Sequence, residues 1–283
     1  MTDTMTNFRV MALTDSELRS QAPSIFASGP SDGVSKRYIF VPTARIVEGL
    51  RQQGWVPVSV EEQTIRLQYR RGFQKHLLRL RLADQMRTLS EWNVEMVVVN
   101  SHDGGCAYQL HAGLFRRVCS NGLVIADSSF EAIRFRHAGL DPDHVVQASF
   151  RVIDFMPKVA AQVGRFRDTA LGSDESFRFA QRALLLRYPT VAAAPVNPET
   201  LLRSRRSEDE GRDLWTTFNR VQENLIRGGL SDSHRDRRGK LRSMRCLRGI
   251  DSKVSLNKGL WGLAERMADG DPLLEDETIT ATA

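Results

Sequence analysis

The spacing of hydrophobic positions changes twice along the chain, and those changes divide it. From Thr43 a three-and-four spacing puts Ile46, Val47 and Leu50 on one helical face. Thr43 is expected to be the N-cap after Pro42, and Gly54 stands where a helix C-terminus favours a left-handed residue. The period then shortens to two. Val56, Val58 and Val60 alternate with Pro57 and Ser59. Ile65, Leu67 and Tyr69 alternate with Arg66, Gln68 and Arg70, and Leu78, Leu80 and Leu82 with Arg79 and Arg81. Alternation of this kind predicts antiparallel strands with one face in the core and one in solvent. Arg71-Gly72 predicts a turn between the second and third runs. Further strands are expected at 94–100, 107–118, 123–126 and 131–137, with Gly104-Gly105 and Asn121-Gly122 as turns.

Beyond Asp141-Pro142 the helical period returns. Helices are expected at 145–171, interrupted at Pro157, and at 174–186. Pro189, Pro195 and Pro198 mark 188–207 as a connection. Ser207 and Glu210 read as a capping box that opens an amphipathic helix. Its apolar stripe is Leu214, Trp215, Phe218, Val221, Leu225 and Ile226, and Gly228-Gly229 ends it. A last helix carries Leu256, Leu260, Trp261, Leu263, Ala264 and Met267. Strands first and helices second predict an α+β fold, with an antiparallel sheet in the N-terminal half backed by long helices from the C-terminal half. The expected organisation is a mobile segment over 1–36 with one short helix near 15–21, a single domain over 37–268, and an acidic tail over 269–283. Within the domain, 37–140 is sheet-rich and 141–268 helix-rich.

Composition narrows the class. The 283 residues are 41% hydrophobic and 26% charged, ordinary values for a globular chain, and the net charge of +6 favours an anionic partner. Cys106, Cys119 and Cys246 form no disulfide framework, which points to a reducing cytoplasm. No run approaches the roughly 18 apolar residues of a membrane span, and the first residues lack a signal-peptide core, so no membrane partner is expected.

The positive charge is concentrated. Arg66, Arg70, Arg79 and Arg81 fall on the expected solvent face of a hairpin, with Lys75 and His76 near its turn. Arginine forks suit phosphate oxygens. Arg235, Arg237, Arg238, Lys240, Arg242, Arg245 and Arg248 surround a single acid, Asp236, and Gly228, Gly229 and Gly239 predict a mobile loop able to clamp a nucleic-acid backbone. Arg116 and Arg117 on a strand, and Arg220 and Arg227 on the amphipathic helix, complete the candidate contacts. The plainer alternatives are a solvated strand face and a solubilising loop.

Catalytic chemistry has little support. Ser101, His102 and Asp103 are adjacent, and adjacent residues do not converge as a triad. The spacing of His102, Cys106, His111 and Cys119 matches no standard zinc pattern, so the stretch reads as a tight turn capped by its own side chains. No phosphate-binding loop, dinucleotide fingerprint, zincin motif or nucleophile elbow occurs. No catalytic residue, metal or cofactor is expected.

Phe115-Arg116-Arg117-Val118-Cys119-Ser120-Asn121-Gly122-Leu123, with the preceding Asn100-Ser101-His102-Asp103-Gly104-Gly105, resembles the signature of domain of unknown function 932, the phage/plasmid-like protein family. Val41-Pro42-Thr43, Gly72-Phe73-Gln74-Lys75-His76, the stretch 214–229, Leu256-Asn257 and Leu260-Trp261 extend the likeness over roughly 38–267. The resemblance implies a mobile genetic element and no particular activity. A basic sheet backed by helices is similar in outline to single-strand annealing proteins, which oligomerise along DNA, so the chain itself is among the expected partners. The reading is sequence-independent nucleic-acid binding, with single-stranded DNA favoured and annealing or recombination as the activity. The alternatives are an antirestriction or other anti-defence protein that binds a host protein, and a nuclease whose site the motifs miss.

Overall fold

Val94, Met96, Val97, Val98 and Val99 are all buried, the pattern of a strand covered on both faces. They form the middle of a sheet. The structure, a computed structural model, describes residues 11–87, 92–116, 123–124, 133–137, 141–235 and 238–271. The chain forms two compact units, Met1–Met156 and Pro157–Ala283, and the division falls at the proline inside a helix, α3 (Pro142–Asp168).

The first unit opens with α1 (Asp15–Gln21) and α2 (Thr43–Gln52). The strands β1 (Trp55–Glu62), β2 (His76–Leu82), β3 (Trp92–Asn100), β4 (Tyr108–Arg116), β5 (Leu123–Val124) and β6 (Ile133–Phe135) follow. They form one antiparallel sheet in the order β1-β2-β3-β4-β5, with β6 also paired to β4. Leu18, Ile25, Ile46, Leu50, Trp55, Leu78, Leu80, Met96, Leu110 and Ala112 make its core.

Three expectations change here. Residues 15–26, assigned to a mobile segment, are packed. Thr14 and Glu17 form a reciprocal capping box on α1, and Leu18 and Ile25 are fully buried. The phase of β1 is also reversed. Trp55 and Pro57 face inward while Val56 and Val58 are half-buried, and a register shift between Pro57 and Ser59 breaks the alternation that valines alone suggest. Third, residues 63–75 are not a strand. Apart from a short 3₁₀ turn at Gln68–Arg70 they form an irregular loop, and Leu67 and Tyr69 point to solvent.

The second unit holds α4 (Ser173–Leu185), α5 (Pro198–Leu201), α6 (Leu214–Arg227) and α7 (Ile250–Ala268). Between α6 and α7 a two-stranded ribbon forms from β7 (Ser231–Arg235) and β8 (Leu241–Ser243). Phe166, Phe179, Phe218 and Trp261 meet edge-on or tilted at centroid distances of 5.1–6.3 Å, and they organise this core. The stripe of α6 is buried as its periodicity predicts, with Trp215 stacked on Phe218 at 5.9 Å. The cap differs. Ser207–Asp209 is a separate 3₁₀ turn, and α6 begins after Asp213, whose carboxylate accepts from the Thr216 N–H at 2.9 Å. The polar side of α6 is buried too. Asn224 donates to the carbonyls of Leu201 and Arg203, both at 2.8 Å, and accepts from Arg205. Glu223 accepts from Arg206 and Arg227. Burial alone would raise the Glu223 carboxyl, but the hydrogen bonds and charges of those two arginines outweigh it and hold it below the usual range. Among the described residues no helix is long and apolar enough to cross a membrane.

Candidate nucleic-acid interface

In the first unit the polar side chains that draw attention in the sequence gather inside. Thr43 is not a cap. It is the first residue of α2, fully buried, and its hydroxyl sits 2.9 Å from His76 Nε2, 3.2 Å from His102 Nε2 and 3.1 Å from Asn100 Nδ2. The protonation pattern follows from the partners. His76 Nδ1 lies 3.2 Å from the Gln74 carbonyl, which can only accept, so Nδ1 carries the proton and also reaches Ser24 Oγ at 2.8 Å. His76 Nε2 then accepts from the Thr43 hydroxyl, and Thr43 accepts from Asn100 and from His102 Nε2–H. Asn100 Oδ1 lies 3.0 Å from His137 Nε2, and His137 Nδ1 faces the Ile39 carbonyl at 3.4 Å. This leaves His102 Nδ1 as a buried lone pair that meets no partner among the described residues.

The cluster is held neutral. Burial pushes His76 down to about 3, helped by the neighbouring His102 and opposed by the Gln74 carbonyl. Burial pushes His102 down to about 4, helped by His137 and opposed by Asp103. His137 is lowered by the same cause, and burial raises the Tyr108 phenol. His76, His102 and Asn100 have no exposed surface, so the network joins α2 to β2 and β3 as part of the core. Among the described residues no group of three or more His, Cys, Asp or Glu is placed to hold a metal ion. The turn after β3 is capped as expected: Asp103 Oδ1 accepts from Ser101 Oγ at 2.7 Å and from the Gly105 N–H at 2.9 Å, and Gly104 has φ +74°.

The sheet arginines do not form a free face. Glu95 on β3 is 0% exposed and takes both guanidinium groups of β2, Arg79 Nε at 2.8 Å and Arg81 Nη2 at 2.5 Å. Arg79 also lies over the Phe115 ring, 3.4 Å from its centroid. Two of the four arginines expected to track phosphates thus neutralise a buried carboxylate. Arg66 and Arg70 are on the loop, not on the strand beside them. Arg70 makes a loose pair with Asp103 at 3.7 Å. Lys75, at the loop's end, is half-buried with its backbone carbonyl bonded to the Gln63 N–H. The side chain of Arg116 and all of Arg117 lie outside the described residues.

In the second unit Arg227 is held by Glu223 at 2.6 Å, and Arg220 donates to Thr217 Oγ1 at 2.9 Å, its guanidinium shifted down by burial despite nearby Asp209 and Asp213. The basic stretch 235–248 is different. Its described residues belong to the β7–β8 ribbon and its exit, anchored at the base. Gly229 N–H donates to Met244 O at 2.7 Å, Met244 N–H to Leu230 O at 2.8 Å and Leu247 N–H to Ile226 O at 2.8 Å. Gly228, at φ +62°, lies so near the Arg245 backbone that a Cβ would come within 2.5 Å. Arg242 is part of this anchorage, donating to Ala193 O at 2.8 Å, and Arg235 bonds Gly239 O across the tip at 2.8 Å. Asp232, an acid of the ribbon, accepts from the Asn197 N–H and Thr200. Arg235, Arg238, Lys240, Arg245 and Arg248 are exposed. Arg237 lies outside the described residues. Among the described residues the side chains of Arg245 and Arg248 meet no carboxylate. The exit of the ribbon was legible as a charge run, but its anchorage depends on contacts with 187–193 and 225–230 that no local pattern announces.

Fold and surface together define an α+β protein with a closed polar core and cations gathered on short exposed elements. The chain belongs to a family described as "Domain of unknown function (DUF932)", which its residues 31–261 match. It is similar to two proteins of Escherichia coli (strain K12), UPF0380 protein YafZ and UPF0380 protein YfjQ, each 36% identical over 255 residues that cover 90% of this chain and 91% of the relative. No solved structure matches it.

Proposed function

We propose that this protein binds nucleic acid through the sugar–phosphate backbone, independently of sequence and with single-stranded DNA favoured, in the service of strand annealing or recombination on a mobile element. The observation that carries the reading is the β7–β8 ribbon and its exit. It presents Arg235, Arg238, Lys240, Arg245 and Arg248 to solvent on an anchored backbone, and Arg245 and Arg248 are without an acidic partner among the described residues. Cations exposed on one short element repel one another, and a polyphosphate chain is an anion that can neutralise several of them at once. Arg79, Arg81 and Arg227 are left out of the interface because Glu95 and Glu223 already occupy them. The test is fluorescence anisotropy with labelled single- and double-stranded oligonucleotides of mixed sequence at low and high salt. Binding that is tight at low salt, indifferent to sequence and steeply weakened by salt supports the reading. Absence of binding at low salt ends it.

A further inference from the structure

Residues 63–75, an irregular loop where alternation predicts a strand, carry apolar side chains into solvent. Alternation alone assigns Ile65, Leu67 and Tyr69 to a buried strand face, yet six consecutive residues, Arg66 to Arg71, are exposed. Leu67 is 50% exposed and Tyr69 is 66% exposed. Single exposed apolar side chains are normal and mean nothing by themselves. Their setting distinguishes these two. Residues 63–75 contain Arg66, Arg70, Arg71 and Lys75 and no acid. Arg66 and Arg71 meet no carboxylate among the described residues, and the Arg70 guanidinium stands 5.9 Å from the Tyr69 ring centroid.

The loop's base is firm, so the exposed tip is held up rather than loose. Gln63 N–H donates to Lys75 O at 2.8 Å, and His102 N–H donates to Phe73 O at 2.9 Å. Gln74 receives the Gly72 N–H at 2.6 Å and donates to Glu62 at 2.7 Å. Gly72, at φ +85°, supplies the left-handed turn that brings the chain back. A rigid aromatic ring among guanidinium groups joins the two chemistries that recognise single strands: a flat apolar surface for an unpaired base and cations for the flanking phosphates.

We infer that the 66–71 tip is a base-stacking site, with Tyr69 as the platform for an unpaired nucleobase, Leu67 extending its apolar surface, and Arg66 and Arg71 on the adjacent phosphates. The inference rests on the nucleic-acid reading above and adds its selectivity. Duplex DNA keeps its bases stacked on one another and offers Tyr69 nothing, whereas a single strand does.

The experiment compares full-length wild type, Tyr69→Ala and Tyr69→Phe by anisotropy with a single-stranded oligonucleotide and its duplex, across a salt series. Tyr69→Ala is expected to weaken single-strand binding by roughly ten- to a hundred-fold. It should leave duplex binding and the salt slope unchanged, and Tyr69→Phe should stay within about two-fold of wild type because the ring is kept. Melting temperatures should not move, since the side chain is on the surface. If wild type binds and Tyr69→Ala binds single strands equally well, the stacking site is refuted while backbone binding stands. If wild type does not bind at all, both readings fall. If Tyr69→Ala changes the sedimentation of the free protein and not its affinity, the tip is a contact between copies of the chain and the inference is wrong.

Discussion

Acid should unfold the first unit through its histidines, and the size of the effect follows from their burial. An unfolded histidine titrates near 6.5. In the folded unit His76 is held down to about 3 and His102 to about 4. A base whose folded pKa is depressed contributes its full share of stability above the unfolded value. That share is lost as pH falls from about 6.5 toward the folded values, because only the unfolded chain takes up the proton. At about pH 5 each unfolded imidazole has gained roughly 2 kcal/mol of protonation free energy that the folded one cannot share, so the pair together should cost the unit about 4 kcal/mol relative to about pH 7.5. Hydrogen–deuterium pulse labelling along a urea series, read on peptides spanning β2 and β3, reports this unit alone. His102→Gln keeps an N–H for Thr43 and removes the titration. Its pH dependence should be smaller than that of wild type by about 2 kcal/mol whatever its absolute stability. Equal stability of wild type at the two pH values, or an unchanged pH dependence in His102→Gln, would refute the argument that a neutral histidine network holds the sheet to α2.

Other consequences test the remaining packing. Glu95→Gln strands Arg79 and Arg81 beside a neutral amide inside the sheet, and urea titration should show a loss of about 3–5 kcal/mol. Glu223→Gln does the same to Arg206 and Arg227 in the second unit. Because the Glu223 carboxyl is held below its usual range, the contribution is present above the unfolded carboxylate pKa and disappears as pH falls through the folded value, so wild type and variant should converge in acid. Trp215 is 2% exposed, and Trp215→Ala should cost about 3–5 kcal/mol in a thermal or chemical melt; an unchanged melt would contradict its place in the core.

Much of the architecture was legible wherever a long period governs. The strand from 94 to 100, the helix beginning near 145 and the buried stripe of α6 all follow from side-chain spacing, because burial repeats with the backbone geometry, whereas the interruption expected at Pro157 is absent and α3 runs through it unbroken. Misreadings arose where a local pattern had two physical solutions. Ile65, Leu67 and Tyr69 alternate like a strand, but they have no neighbour to pair with, since residue 63 already bonds to residue 75. Ser207 and Glu210 imitate a capping box, while Asp213, beside the first apolar residue, takes the cap. The candidate site is the least legible part of the sequence. Arg79 and Arg81 look like a phosphate-tracking face until Glu95, the one acid among the hydrophobic residues of β3, is brought beside them. Glu95 was the available signal, because an acid amid valines must find a cation. The meeting of His76, His102 and His137 around Thr43 and Asn100 joins residues up to 94 positions apart in the numbering, and no spacing rule reaches that far.

Whether the basic ribbon of the second unit and its exit grip a nucleic-acid backbone shows in the salt dependence of single-strand binding by wild type and by an Arg245→Ala, Arg248→Ala double variant. Among the described residues these two side chains carry no structural bond, unlike Arg242, so the melting temperature should stay near that of wild type. Each lost phosphate contact lowers the slope of log affinity against log salt by about 0.7 on single strands, so the double variant should lose about 1.4 units and bind more weakly at low salt. A slope identical to wild type, with affinity unchanged, would contradict the claim.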